Sequence, residues 1–407
     1  MFIVNAKAVK ILNSRNEQTI SVIIETKAGK VLASSPTGKS RGKHEVEPFS
    51  NKGIEFSLSF ANAILKKLIT EKISFSSFND LEKFEALLRK YDKTKNWSII
   101  GGNTVFAIEA AILKAIALSE KDELWHFLNP KSKILPTPIG NCIGGGSHIK
   151  SENKTDIQEF LFIPKTKHFY DAYFINLKAY REAKRLILER DKLWKGELTD
   201  ERAIASTLET EKILEIMLEV SEKIKETFNI RLDIGIDIAA STLFNGKKYI
   251  YNNPKSEKTI EEQISFILNL IKKYNLFYIE DPLYEEDFEN FAKLTSKIKS
   301  KTLIVADDLT CTNSERLQKA IEKKAINATI IKPNQNGSLF ETKKFVDVAK
   351  KNNITTIISH RSGETMDSTI ADLAVAWQIP YIKTGILGKE RFAKLHKLLK
   401  IEREIGK

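Results

Sequence analysis

Six apolar runs in the second half of the chain each end in a residue able to do chemistry. They are RLDIGID at Asp237, LFYIED at Glu280, TLIVADD at Asp307, ATIIKPN at Lys332, TTIISHR at His360 and PYIKTG at Lys383. One charged residue after one apolar run is an ordinary start to a solvated loop, but six in succession form a set. Three carboxylates, two lysines and a histidine brought to one place would balance each other's charge. Carboxylate oxygens are hard donors that suit Mg2+, and lysine suits an anionic substrate or a proton transfer. Upstream, Gly144, Gly145 and Gly146 lead through Ser147 to His148, a glycine loop that by itself marks no more than a turn.

Each of the six runs is followed by an amphipathic stretch, so the rhythm from about residue 228 is that of repeated β/α units. Runs apolar on both sides of the pleat belong to parallel strands covered by helices, and six such units favour a closed barrel over an open doubly wound sheet. In a barrel, functional groups sit at the carboxyl ends of the strands, where all six residues fall. FNGKKYIYNNPK predicts a hairpin inserted before the helix KTIEEQISFILNLIKKY, and Thr312 with Glu315 has capping-box spacing before RLQKAIEKK. The first third reads differently, with strands over 3–13, 18–28 and 30–35 in an antiparallel meander. Helices follow near 52–69, 78–91, 103–119 and 121–128. The proline-rich NPKSKILPTP then marks a boundary, giving an amino-terminal α+β domain over 1–130 and a catalytic barrel over 131–407.

With 42% hydrophobic and 29% charged residues among 407, the composition excludes disordered and fibrous classes. No run approaches the roughly 18 apolar residues of a membrane span and the opening lacks a leader pattern, so the expectation is a soluble, cytoplasmic protein. Cys142 and Cys311 lack metal or redox spacing and read as packed thiols. The net charge of +12 is spread along solvated helix faces, which argues against nucleic acid as main partner. Gly38-Lys39-Ser40 is not a phosphate loop, because Ala33 stands where that motif requires glycine.

NCIGGGSH with DIQEF after it, then IEDP, VADDLTCTN, IKPNQNG, SHRSGET and IKTG, in this order, resemble the enolase family. KILNSR, PTGKSRGKHE and GGNTVFAIEAAILKA near the start and RFAKLHKLLKIEREIG at the end extend the resemblance over nearly the whole chain. It implies an α/β fold, a modified eight-stranded TIM-like barrel capped by the amino-terminal domain, with two barrel units departing from regular β/α order. It implies a hydro-lyase of glycolysis that interconverts 2-phosphoglycerate and phosphoenolpyruvate, a homodimer or higher oligomer, and two Mg2+ ions, the second bound together with substrate. By the same resemblance Asp237, Glu280 and Asp307 hold the first ion and Ser40 reaches the second. Lys332 is the general base, its pKa lowered by the metals and Lys383. Glu201 is the general acid, assisted by Glu159. Arg361 and Ser362 bind phosphate, and His148, Gln158, His360 and Lys383 make further substrate contacts.

The chain departs from the family in two loops. Where the family has a segment resembling GDEGGFAP, this chain has LTDERAIAS, with Arg202 and Ala203 in place of two glycines. Neither readily takes positive φ, so the loop is expected to risk another path and to aim Glu201 differently, with Glu197, Glu209 and Glu211 as fallback acids. Lys39 and Arg41 add two cations beside Ser40, which would strengthen phosphate attraction or compete with the second metal. Two alternatives follow from these departures, an enzyme of the same proton-abstracting type with another acid substrate, and a non-catalytic binding protein.

Overall fold

The computed structural model describes residues 1–39, 41–149, 154–299 and 301–406. Strands β1 (Asn5–Leu12), β2 (Gln18–Thr26) and β3 (Gly29–Ser34) form the expected antiparallel meander. Its inner face, with Ile20, Val22, Ile24 and Ala33 fully buried, packs on the helix Gly102–Ser119. Helix Ile54–Thr70 packs along β1, and Asp80–Arg89 lies against the helix Leu339–Lys351 of the barrel. The helix predicted over 121–128 is only Leu124–Leu128, because Lys121 takes a left-handed φ of 57° and ends the long helix before it. Contrary to the expectation that no run is apolar enough, Gly102–Ser119 has the length and hydropathy to cross a membrane, but it is 83% buried inside the protein.

That helix also ties the two domains together. Glu109, midway along it and wholly buried, accepts the backbone N–H of Leu339, the first residue of the helix Leu339–Lys351 in the barrel. Burial and, after it, the nearby Glu85 push the Glu109 carboxyl well above its usual range.

The barrel strands are β4 (Thr137–Gly144), β5 (Glu159–Lys165), β7 (Arg231–Asp237), β10 (Tyr278–Glu280), β11 (Leu303–Ala306), β12 (Ala328–Ile331), β13 (Thr355–Ser359) and β14 (Tyr381–Lys383). They pair in that order and β14 returns to β4, so the eight-stranded barrel is closed. The short β6 (Ile204–Ala205) adds to the end of β4. All neighbours are parallel except β5, which runs against both β4 and β7. Ile139, Leu161, Ile163, Val305, Ile330 and Ile357 fill the interior, each contributing about 1.5–3 kcal/mol by leaving water. The predicted hairpin is β8 (Tyr249–Asn252) with β9 (Lys255–Lys258). Thr259 and Glu262 then close a capping box at the start of Ile260–Tyr274, because each side chain satisfies an otherwise orphaned N–H. The other predicted capping box is not formed: Asn313 caps Ser314–Glu322, and Thr312 instead accepts the backbone N–H of Lys332 at 2.9 Å.

Candidate active site

The parallel strands carry their terminal residues to one mouth in register. Asp237 is level with Glu280, and Lys383 is level with Ser359, one residue before His360. The reversed strand does the same from its other end, since Glu159 begins β5 level with Asp237. Lys383 donates to Glu280 at 2.8 Å and Asp237 at 3.1 Å, and lies 2.9 Å from Glu159. Burial alone would lower the Lys383 pKa, but these three carboxylates raise it well above the ordinary value. Burial, followed by the charge of Asp237, pushes Glu280 up to about 8. Both Lys383 and the Tyr278 hydroxyl bond its Oε2, and Oε1 is left buried with no hydrogen-bond partner. An orphaned oxygen within a crowded carboxylate group is chemically suited to a hard cation, so Asp237, Glu280 and Asp307 fit the role of holding a divalent metal ion.

Lys332 donates to Asp307 from the end of β12. Burial, Arg361 and Lys383 act to lower its pKa, but Asp307 outweighs them and the pKa is raised. Lys383 thus acts in the expected direction, and it is the pairing with Asp307 that holds the ammonium charged. The same contact outweighs burial to hold Asp307 below the ordinary range.

Across the mouth, the LTDERAIAS loop delivers Glu201 into the same cavity as Lys332, Lys383 and Asp307. Thr199 organises the turn, accepting the N–H groups of Glu201 and Ala203 on its hydroxyl and that of Arg202 on its carbonyl. Arg202 takes φ 66°, in the left-handed region that glycine enters readily, and Tyr180 donates to its carbonyl at 3.1 Å. Ala203 stays out of that region and is buried. Arg15 of the amino-terminal domain pairs with Asp200 beside it. The loop lies directly on β4, where a Cβ at Gly144 would be 2.7 Å from the Thr199 methyl. Thus the substitutions leave Glu201 at the mouth. Glu197, Glu209 and Glu211 do not line it, their carboxylates bonding Lys195, Lys212 and Lys273 instead.

Asn141 donates to Glu201 at 3.1 Å, and His360 lies 3.4 Å from it. Burial would raise Glu201, but His360, His148 and Arg391 together hold it well below its usual range. Glu159 goes the other way: burial drives it well above, Lys383 opposes, and Glu201 adds to the rise. Carboxylate oxygens of the two, with a ring nitrogen of His148, all lie within 4.8 Å of one another. Gln158 lines the cavity and accepts from Ser147 at 2.7 Å. Arg361 and Ser362 form its far wall, with the Ser362 hydroxyl accepting the N–H of Lys39.

Every predicted site residue among the described ones therefore meets at one mouth, Glu280 lying beneath the lining behind Lys383. Ser40 lies outside the described residues. Lys39 turns its ammonium to the carbonyl of Ser147, and Arg41 pairs with Glu47, away from the mouth. Sequence reasoning missed Asp281 and Asp308, which line the mouth, and Asn141 and Tyr278, which bond the carboxylates. The acidic doublets Glu280-Asp281 and Asp307-Asp308 were a usable signal, as was Tyr278, two residues before Glu280 and so on the same strand face.

Two family models match the chain: the enolase amino-terminal domain over residues 3–128 and the enolase carboxyl-terminal TIM barrel domain over 132–407. A protein of Methanosphaera stadtmanae named enolase is 41% identical over 403 residues, covering 97% of this chain and 95% of its own. An enolase of Archaeoglobus fulgidus is 40% identical over 405 residues, covering 98% and 96%, and one of Picrophilus torridus is 38% identical over 398, covering 97% of both. On these matches, which take in both domains and nearly every residue of the mouth just described, the chain belongs to the enolase family.

Proposed function

We propose that this chain is a Mg2+-dependent lyase interconverting 2-phosphoglycerate and phosphoenolpyruvate, with residues 1–130 as cap and 131–407 as catalytic barrel. The observation that carries this reading is that Lys332 follows β12, four strands around the barrel from β5 where Glu159 stands, while Glu201, Asp237, Asp307 and Arg361 line the same cavity. Removing the proton α to a carboxylate places a second negative charge on that carboxylate group, and bound Mg2+ would supply the positive charge that stabilises it. Asp237, Glu280 and Asp307 would hold that ion, and Ser40 is the residue assigned to a second one arriving with substrate.

Lys332 takes the α-proton. It can do so only when neutral, and Asp307 now keeps it charged. Arg361 and Lys383 lower its pKa, and Asp307 and Glu280, which raise it, are both residues that would hold the metal and so would lend Lys332 less charge. On the opposite face the 3-hydroxyl must leave as water, which requires a proton. Glu201, held ionised by His360, His148 and Arg391, is assigned to deliver it and must first receive a proton, which Glu159, whose surroundings favour the protonated form, holds beside it. Lys383, His148, Gln158 and His360 orient the substrate, and Arg361 with Ser362 receives its phosphate. The reading further includes a cytoplasmic homo-oligomer.

The test is the ultraviolet absorbance of the enol product when purified protein meets 2-phosphoglycerate and Mg2+. Turnover that stops with chelator and returns with added Mg2+ supports the reading. No turnover at any temperature up to strong heating would sink it, and would favour the divergent-substrate or binding-protein alternatives.

A further inference from the structure

The sequence reading left Glu45, in PTGKSRGKHE, without a role. Its carboxylate is only 6% exposed and faces the Arg361 guanidinium, itself 4% exposed, with Nη2 donating to its two oxygens at 2.9 and 3.1 Å. The same carboxylate accepts the N–H of Gly42 at 3.1 Å and the Gln335 amide at 3.2 Å, and Gln335 also donates to Asp307 at 3.2 Å. Asn334 holds Nη1 of Arg361 at 3.2 Å.

This arrangement solves an electrostatic problem. A buried guanidinium is drawn to the nearest carboxylates, and after Glu45 those acting on Arg361 are Asp307 and Asp308. An arginine that moved onto Asp307 would occupy a metal ligand and turn away from the incoming anion. Glu45 prevents this by supplying a fixed counter-charge from the amino-terminal domain within hydrogen-bond reach of Nη2, while Asn334 engages Nη1.

We infer that Glu45 is a positioning residue for phosphate binding: it presets the direction of the Arg361 guanidinium and keeps it off Asp307. The inference rests on the enolase reading for the identity of the anion. It concerns affinity for the phosphate group, and the bond-making groups on the other side of the mouth are untouched by it.

The experiment compares the full-length protein with Glu45→Gln, which keeps size and one acceptor, and with Glu45→Asp. Inorganic phosphate is titrated by calorimetry in Mg2+, and the rate is followed against 2-phosphoglycerate concentration. Glu45→Gln is expected to weaken phosphate binding and to raise KM about tenfold, while kcat falls less than about threefold. Glu45→Asp is expected to recover part of the loss. Unchanged phosphate affinity, tighter binding from relief of charge competition, or a fall in kcat alone each overturns the inference. Unaltered protein that binds phosphate in a Glu45-dependent way without turnover would refute the enolase reading and leave the inference standing. Unaltered protein that neither binds nor turns over would sink both. Melting curves of the variants separate misfolding from lost affinity, and Arg361→Lys should show the same KM pattern in a folded protein if Glu45 acts through that residue.

Discussion

The two sides of the barrel mouth are made in different ways. Asp237, Glu280, Asp307 and Lys383 stand at or just past the ends of hydrogen-bonded strands, so backbone register fixes their Cα positions before any side chain contributes. Glu201 stands on a loop, and its position depends on Thr199, Asn141, Tyr180 and the pair Arg15–Asp200. Strand-borne groups tolerate changes in their neighbours. A loop-borne group depends on every contact that shapes its turn, and here the turn survives loss of two family glycines because other contacts hold it.

The sharpest way to break this comparison is to remove the one base. Lys332→Ala is expected to lower kcat about 10⁴-fold with the fold intact, measured by the enol absorbance alongside circular dichroism. Next comes the carboxylate pair. Glu201→Gln and Glu159→Gln should each reduce kcat about 10²–10³-fold, and whichever loss is larger in single-turnover experiments marks the proton donor. Equal, mild losses would mean that the acid is elsewhere.

A third prediction concerns the strand side. Glu280 ionises near pH 8, because burial and Asp237 disfavour its charge, and a metal ligand must be ionised to bind. Below that pH, binding Mg2+ displaces a proton, so apparent affinity should rise about tenfold per pH unit towards 8 and level off above it. Calorimetric titrations of Mg2+ from pH 6 to 9 check the slope, and a flat profile would remove Glu280 from the metal site. The smallest effect belongs to Arg202. A side chain in the left-handed region costs about 1–2 kcal/mol, and glycine returns about 0.5–1 kcal/mol of that as unfolded-state entropy. Arg202→Gly should therefore stabilise the protein by up to about 1 kcal/mol in denaturant midpoints while leaving the rate within about twofold.

These differences also explain what could be read from the amino acids. The six strand ends were legible because apolar runs closing on a polar residue recur with a β/α rhythm, and the closed barrel followed from their number. The reversal of β5 was not legible from spacing, since a strand buried on both faces, EFLFIPK, carries no sign of which way it runs against its neighbours; only the resemblance implied irregular units. The direction of Glu201 was hidden because it depends on distant partners such as Arg15. The misassigned cap at Thr312 failed for a similar reason: Asn313 competes for the same N–H groups, and the threonine is engaged by Lys332 from another strand.

The contact between Glu109 and Leu339 spans 230 residues of sequence. A ribosome making this protein releases the amino-terminal domain, with its long apolar helix and an acid lacking its eventual partner, well before that partner is polymerised. The early third must therefore wait with an unfinished surface, and protection of the helix Gly102–Ser119 during synthesis becomes a requirement of the architecture. In this molecule the cap is translated first and completed last.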